Sequence, residues 1–195
     1  MSTKSAALRT LKPLVLTEAY QRIIGWFSAY PNSEISLTDL CLQTRTSKSI
    51  GSSTVKRLAD EGVLKIKPVG RAWSILAVPG NRQFIERKIS SNLMLVFESG
   101  LIDVVRNAVP NARAIILFGS YRKGDDVPES DIDIAAEVAG DKRLEIVELG
   151  TFGQFGYRKN VKANLHIFSK KQIDINLFTN IANGIVLDGL LEVRP

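Results

Sequence analysis

The chain has 195 residues, 45% of them hydrophobic and 24% charged, the composition of a globular protein rather than a disordered or fibrous one. No apolar run is long enough to span a bilayer, none follows Lys4 and Arg9 as a secretory signal requires, and the single cysteine, Cys41, excludes an internal disulfide, so the expectation is a cytoplasmic protein with no membrane partner. The net charge of +6 sits wholly in residues 1–80, residues 81–195 being balanced, which suits nucleic-acid contact or simply solubility.

In chain order, Leu16, Tyr20, Ile23, Ile24 and Phe27 recur at helical spacing, and Pro31-Asn32 stops that helix. Ser36 and Asp39 are spaced to cap each other, which predicts a second helix over about Leu37–Gln43 with Leu37, Leu40 and Cys41 on one side. A third helix is predicted over about Ser49–Glu61, stopped by Gly62. Its inner face is read as Ile50, Val55, Leu58 and Ala59, and its outer face as Ser49, Ser52, Ser53 and Lys56. Val63–Lys67 and Arg71–Val78, joined by Pro68-Val69-Gly70, read as a hairpin.

Three helices followed by a basic hairpin is the order of a winged helix-turn-helix. The run from Ser52 to Leu64 resembles the recognition helix and first wing strand of many bacterial and archaeal regulators. That resemblance implies Ser49, Ser52, Ser53 and Lys56 against a DNA major groove, with Lys65, Lys67 and Arg71 against phosphates. The alternative is a protein-docking module whose lysines are simply solvated.

A boundary is expected at Pro79-Gly80-Asn81. Apolar residues from Phe84 to Val105 then recur at spacings that suit one helix or two, with a break near Ser99-Gly100. This connector is expected to pack the two halves together or to form a homodimer seam. The expected division is residues 1–80, a connector over 81–108, and a second domain over 109–195.

Ala112–Phe118 reads as a buried strand that runs into Gly119-Ser120. Ten residues later comes Asp131-Ile132-Asp133-Ile134, the start of another strand. Alternation puts Asp131 and Asp133 on one strand face, roughly 7 Å apart, a costly pair of like charges unless a cation lies between them. Hard oxygen donors suit Mg2+. Gly119 lets a phosphate approach the backbone, Ser120 donates to it, and Arg122 and Lys123 neutralise a triphosphate tail.

Gly119-Ser120, the ten-residue spacing and Asp131-x-Asp133 resemble the signature of the DNA polymerase beta-like nucleotidyltransferases. The text from Leu117 to Gly124, that from Ser130 to Ile134 and the ending from Ile181 to Gly189 look like the minimal branch of that family. The resemblance implies an α/β (α+β) fold with a mixed-sheet palm, metal ligation and catalysis by Asp131 and Asp133, and a phosphate cradle at Gly119 and Ser120. It also implies Mg2+, a nucleoside triphosphate with ATP the expected donor, and, by analogy with antitoxins of that branch, a protein acceptor such as a toxin.

The family places a third carboxylate on a neighbouring strand, which here reads as Val161–Phe168. The matching position falls on Asn164 or, with a shifted register, on His166. Glu137 shares the face of the Asp pair but lies too far along it. An enzyme is therefore one reading, and a DNA-binding regulator or antitoxin with a nucleotide-sensing or inactive domain is the other. Asp125, Asp126 and Glu129 read as solvated loop residues; Asp141, Glu145 and Glu148 suit a helix after Gly140; and Gly150–Tyr157 reads as an aromatic loop able to border a base or simply to pack.

Overall fold

The computed structural model describes residues 16–193. Helix α1 (Glu18–Ala29) begins where the Thr17 hydroxyl accepts from Tyr20 N at 3.2 Å, with Glu18 in the positive first turn. Leu16, expected inside this helix, precedes the cap and is exposed. Helix α2 (Leu37–Thr44) is capped by Ser36, whose hydroxyl accepts from Asp39 N at 3.1 Å. The return bond runs from the Ser36 hydroxyl to Asp39 Oδ2 at 2.6 Å, because an Asp side chain is shorter than the Glu that would reach the cap backbone.

Helix α3 (Lys48–Asp60) buries Gly51, Thr54, Val55 and Leu58, spaced i, i+3, i+4, i+7. Ile50, expected on the inner face, is 53% exposed. Gly51 takes that place because α2 and α3 cross closely there, where a Cβ would collide with Cys41 Sγ. The hairpin forms as β2 (Leu64–Val69) and β3 (Ala72–Ala77). A short strand, β1 (Glu34–Ser36), joins it in the antiparallel order β1-β3-β2. Three residues carry too little periodicity to announce a strand. Tyr20, Ile23, Phe27, Leu40, Leu58 and Ile75 form the core of this part, closed by Phe84 from the next helix.

That helix, α4 (Arg82–Glu98), is followed by α5 (Leu101–Ala108), the break falling at Ser99-Gly100 with Gly100 at φ 73°. Beyond them lie β4 (Ala114–Phe118), α6 (Gly119–Lys123), β5 (Ile132–Glu137), β6 (Glu145–Phe155), β7 (Arg158–Phe168), α7 (Ile175–Ala182) and β8 (Ile185–Gly189). The strand order is β6-β7-β5-β4-β8; β5 and β7 are parallel and the other neighbours antiparallel, giving a mixed sheet. Strand alternation then sorts the side chains. Ile132, Ile134, Ala163 and Leu165 pack with Val96, Leu101 and Val105 of α4 and α5. Ala135 and Phe168 pack on the other face with Ile181 of α7.

Three expectations are overturned here. The stretch after Gly140 forms β6 and not a helix: Asp141, Glu145 and Glu148 are exposed, Glu145 and Glu148 lie on the sheet's edge strand, and a solvated edge shows no apolar alternation to read. Gly150–Tyr157 is the end and turn of the β6–β7 hairpin, with Gly156 at φ 60°. Its Tyr157 packs toward Gly25 of α1 and accepts at its carbonyl from the Tyr30 hydroxyl at 2.6 Å. Asp126 is buried and not solvated, held by Lys88, Asn92 and Arg158.

Candidate active site

Strand β4 delivers Phe118 to the sheet's end, and the chain turns at once into α6 through Gly119. Gly119 has φ +71°, a left-handed backbone that side chains disfavour, and a Cβ there would sit 2.8 Å from Asp133 Oδ2. Glycine is thus required twice, by its backbone and by the carboxylate pressed against it. That contact joins the two halves of the motif across the antiparallel β4–β5 pair, in which Phe118 faces Asp133.

On the other side of β5, parallel pairing sets Asn164 beside Asp133. Asn164 Nδ2 donates to Asp131 Oδ2 at 3.2 Å. Two residues further along β7, His166 places Nε2 3.5 Å from Asp133 Oδ1. Its ring stands edge-on to Phe118, centroids 5.0 Å apart, and its Nδ1 is buried with no hydrogen-bond partner among the described residues. The Asp133 side chain is 30% exposed, so the carboxylates border solvent while their hydrocarbon neighbours do not. Both alternatives for the third position, Asn164 and His166, therefore reach the Asp pair, because residues two apart share a strand face.

Glu137 does not join them. It lies at the far end of β5, 2% exposed, with Oε1 3.3 Å from Lys170. Ser120 and Arg122 are half-buried on α6 and Lys123 is exposed; among the described residues neither cation of α6 forms an ion pair.

The loop between the motif halves is fixed from beneath. Lys88 donates to the Asp126 carbonyl and lies 3.4 Å from its Oδ1; Arg158 lies 3.3 Å from Oδ2. Asn92 Nδ2 donates to Asp126 Oδ1 at 2.8 Å and to the Tyr121 carbonyl at 3.1 Å. Arg158 also donates to the Val127 carbonyl at 2.7 Å and to the Tyr121 hydroxyl. Burial pushes the Asp126 carboxyl up and the Lys88 ammonium down, and it pulls Arg158 down to about 10, so all three groups bear a desolvation cost that their attraction only partly offsets. Sequence reading missed this cluster: its members lie on α4, the motif loop and β7, and no spacing links them.

Among the N-terminal candidates, Ser49, Ser53 and Lys56 are exposed on α3 and Ser52 is half-buried; Lys65, Lys67 and Arg71 are exposed on or beside β2. Lys56 Nζ stands 5.3 Å from the centre of the Trp73 ring, which ties the outer face of α3 to the hairpin. Lys67 pairs with Glu34 at 3.4 Å. These residues lie on α3 and on or beside the three-stranded sheet, whereas the Asp pair belongs to the five-stranded one.

The donors at the sheet's end are of the kind a hard divalent cation takes: two carboxylates that border solvent, beside a Gly119 where any larger residue would press on Asp133. Among the described residues no three His, Cys, Asp or Glu side chains gather as a closed metal cage. No helix is long and apolar enough to cross a membrane among the described residues. The chain matches none of the curated proteins with which it was compared. Residues 100–188, which run from the start of α5 into β8, match the family model described as Polymerase beta, Nucleotidyltransferase, and so carry a nucleotidyltransferase-type domain.

Proposed function

We propose that the chain transfers a nucleotide from a nucleoside triphosphate, with ATP the expected donor, to an acceptor group, using a Mg2+ ion held by Asp131 and Asp133. The observation that supports this reading is the contact of Asp133 with Gly119, which sets a carboxylate pair against a turn whose first residue carries no side chain. Amides at the start of α6 and the Ser120 hydroxyl donate to phosphate oxygens, and Arg122 and Lys123 offset the charge of the tail. The cation supplies charge stabilisation to the attacking and leaving oxygens of an in-line displacement at the α-phosphate. Asp131, steadied by Asn164, and Asp133, wedged between Gly119 and His166, keep their oxygens in place for it.

The N-terminal helices with the β1-β3-β2 sheet support a winged-helix reading, residues 1–80 forming that domain, 81–108 the connector and 109–195 the transferase. Lys56, Lys65 and Arg71, all exposed, would meet the phosphates of duplex DNA, with Ser49, Ser52 and Ser53 at the base edges and Lys67 released from Glu34 to a phosphate. A toxin-like protein is the acceptor suggested by the family resemblance, a homodimer is compatible with the exposed Met94 and Phe97 on α4, and the cytoplasm is the proposed location.

A second reading is favoured by one observation. Asn164 occupies the place beside Asp133 where the family carries a proton-accepting carboxylate, and an amide accepts no proton. On this reading the domain senses nucleotide or is inactive, and the chain is a DNA-binding regulator or antitoxin.

Incubation with Mg2+ and each labelled triphosphate, followed by mass spectrometry of candidate acceptors, separates the two. Metal-dependent transfer that falls by about a hundredfold or more in Asp131→Asn supports the enzyme. Nucleotide binding with no modified product supports the regulator. For the N-terminal part, affinity for duplex DNA is expected to fall with salt and to weaken several-fold in Lys56→Glu; binding that ignores salt removes the DNA role.

A further inference from the structure

The carboxylate pair faces two β7 side chains that bring it no negative charge, Asn164 and His166. Asn164 Nδ2 donates to Asp131 Oδ2, which occupies one of that carboxylate's oxygens and fixes its rotamer. Other carboxylates are engaged elsewhere: Glu148, opposite Asn164 in the β6–β7 register, pairs with Lys162 at 3.5 Å, Glu137 is buried at the far end of β5 with Lys170, and Asp126 is buried among Lys88 and Arg158. The site thus carries two formal negative charges, which one divalent cation neutralises. A second cation about 4 Å away would need a bridging or additional anionic ligand, and the carboxylates described above are engaged elsewhere; the Asn164 amide meanwhile donates to Asp131 Oδ2, an oxygen such an ion would use.

We propose that Asn164 is a positioning residue that limits the nucleotide-free chain to a single divalent cation at Asp131 and Asp133, so that any second cation arrives with the polyphosphate. This rests on the metal-site reading above. It departs from a simple loss of function, because the site still binds metal and the count of ions becomes dependent on nucleotide.

Mn2+ serves as the probe, counted by the electron paramagnetic resonance of the free ion. Without nucleotide the wild-type chain is expected to take one Mn2+, and with a non-hydrolysable triphosphate two. Asn164→Asp adds a carboxylate and removes the amide donor; it is expected to bind a second ion without nucleotide, or the first about tenfold more tightly. Asn164→Leu keeps the volume, loses the donor and adds no charge; it is expected to stay at one ion, bound more weakly as Asp131 loses its tether. His166 is the only histidine of the chain, so its ring protons report location by nuclear magnetic resonance. They are expected to broaden with the first equivalent of Mn2+.

Two ions on the nucleotide-free wild type overturn the proposal, as does an Asn164→Asp chain that binds one ion with unchanged affinity. Unbroadened His166 signals place the ion elsewhere and overturn it as well. Asp133→Asn distinguishes the levels. If it leaves Mn2+ binding intact, the metal-site reading itself fails; if it abolishes binding while Asn164→Asp behaves as wild type, only the role of Asn164 fails.

Discussion

Asp126 and Asp131 lie in one loop, a few residues apart, and the fold treats them oppositely. Asp126 is sealed in with two cations and an amide. Asp131 and its companion Asp133 stay open to solvent, with an amide on one and a loosely placed imidazole on the other. The first arrangement stabilises a backbone path; the second leaves negative charge available. The lesson is that an acidic residue in this loop is assigned by its neighbours, since buried charge matched by protein is scaffold and charge left unmatched at the surface is free to meet a ligand.

The sharpest test removes the buried carboxylate. Asp126→Leu leaves Lys88 and Arg158 in the interior without an anion and is expected to cost about 3–5 kcal/mol in chemical denaturation. Lys88→Met combined with Asp126→Leu is expected to recover part of that loss, because the desolvation cost of Lys88 disappears while Arg158 stays buried without its carboxylate. If the single change is harmless, the cluster is not scaffold and the contrast breaks.

Gly119→Ala acts where the two kinds of region meet. The left-handed backbone alone costs roughly 1–2 kcal/mol in an L-residue, and the new methyl would press on Asp133 Oδ2. Stability is expected to fall by about that amount while divalent-cation binding falls further than stability explains. Equal, small effects on both would show that the contact matters only for folding.

The smallest change is expected from Asp133→Asn. Because its charge is unmatched, neutralising it is expected to shift stability by less than about 1 kcal/mol, in either direction, although cation binding is lost. A large destabilisation measured by thermal and denaturant unfolding would place Asp133 with Asp126 in the scaffold and remove the distinction.

Much of the fold was legible because it rests on local rules. The cap at Ser36, the stop at Gly62, the break at Ser99-Gly100 and the strand on either side of Gly119-Ser120 all follow from the preferences of single residues or from period. The candidate site was legible for the same reason: alternation on β5 and β7 fixes which side chains share a face. The errors share a cause too. Ile50 turned outward because Cys41, on another helix, claimed the space at Gly51, and β6 was taken for a helix because a solvated edge strand need not alternate.

By itself the sequence determined the capped N-terminal helices, which carboxylates share a strand face and that a glycine stands where β4 turns into α6, all of them consequences of backbone geometry over a few residues. Only the tertiary structure decided that Asp126 is buried, that Tyr157 meets α1, that Asn164 bonds Asp131, and that Asp133 lies against Gly119. Each of those depends on which distant segments are brought within a few ångströms, and the energy that selects such an approach is shared among many residues, so no one of them carries its signature.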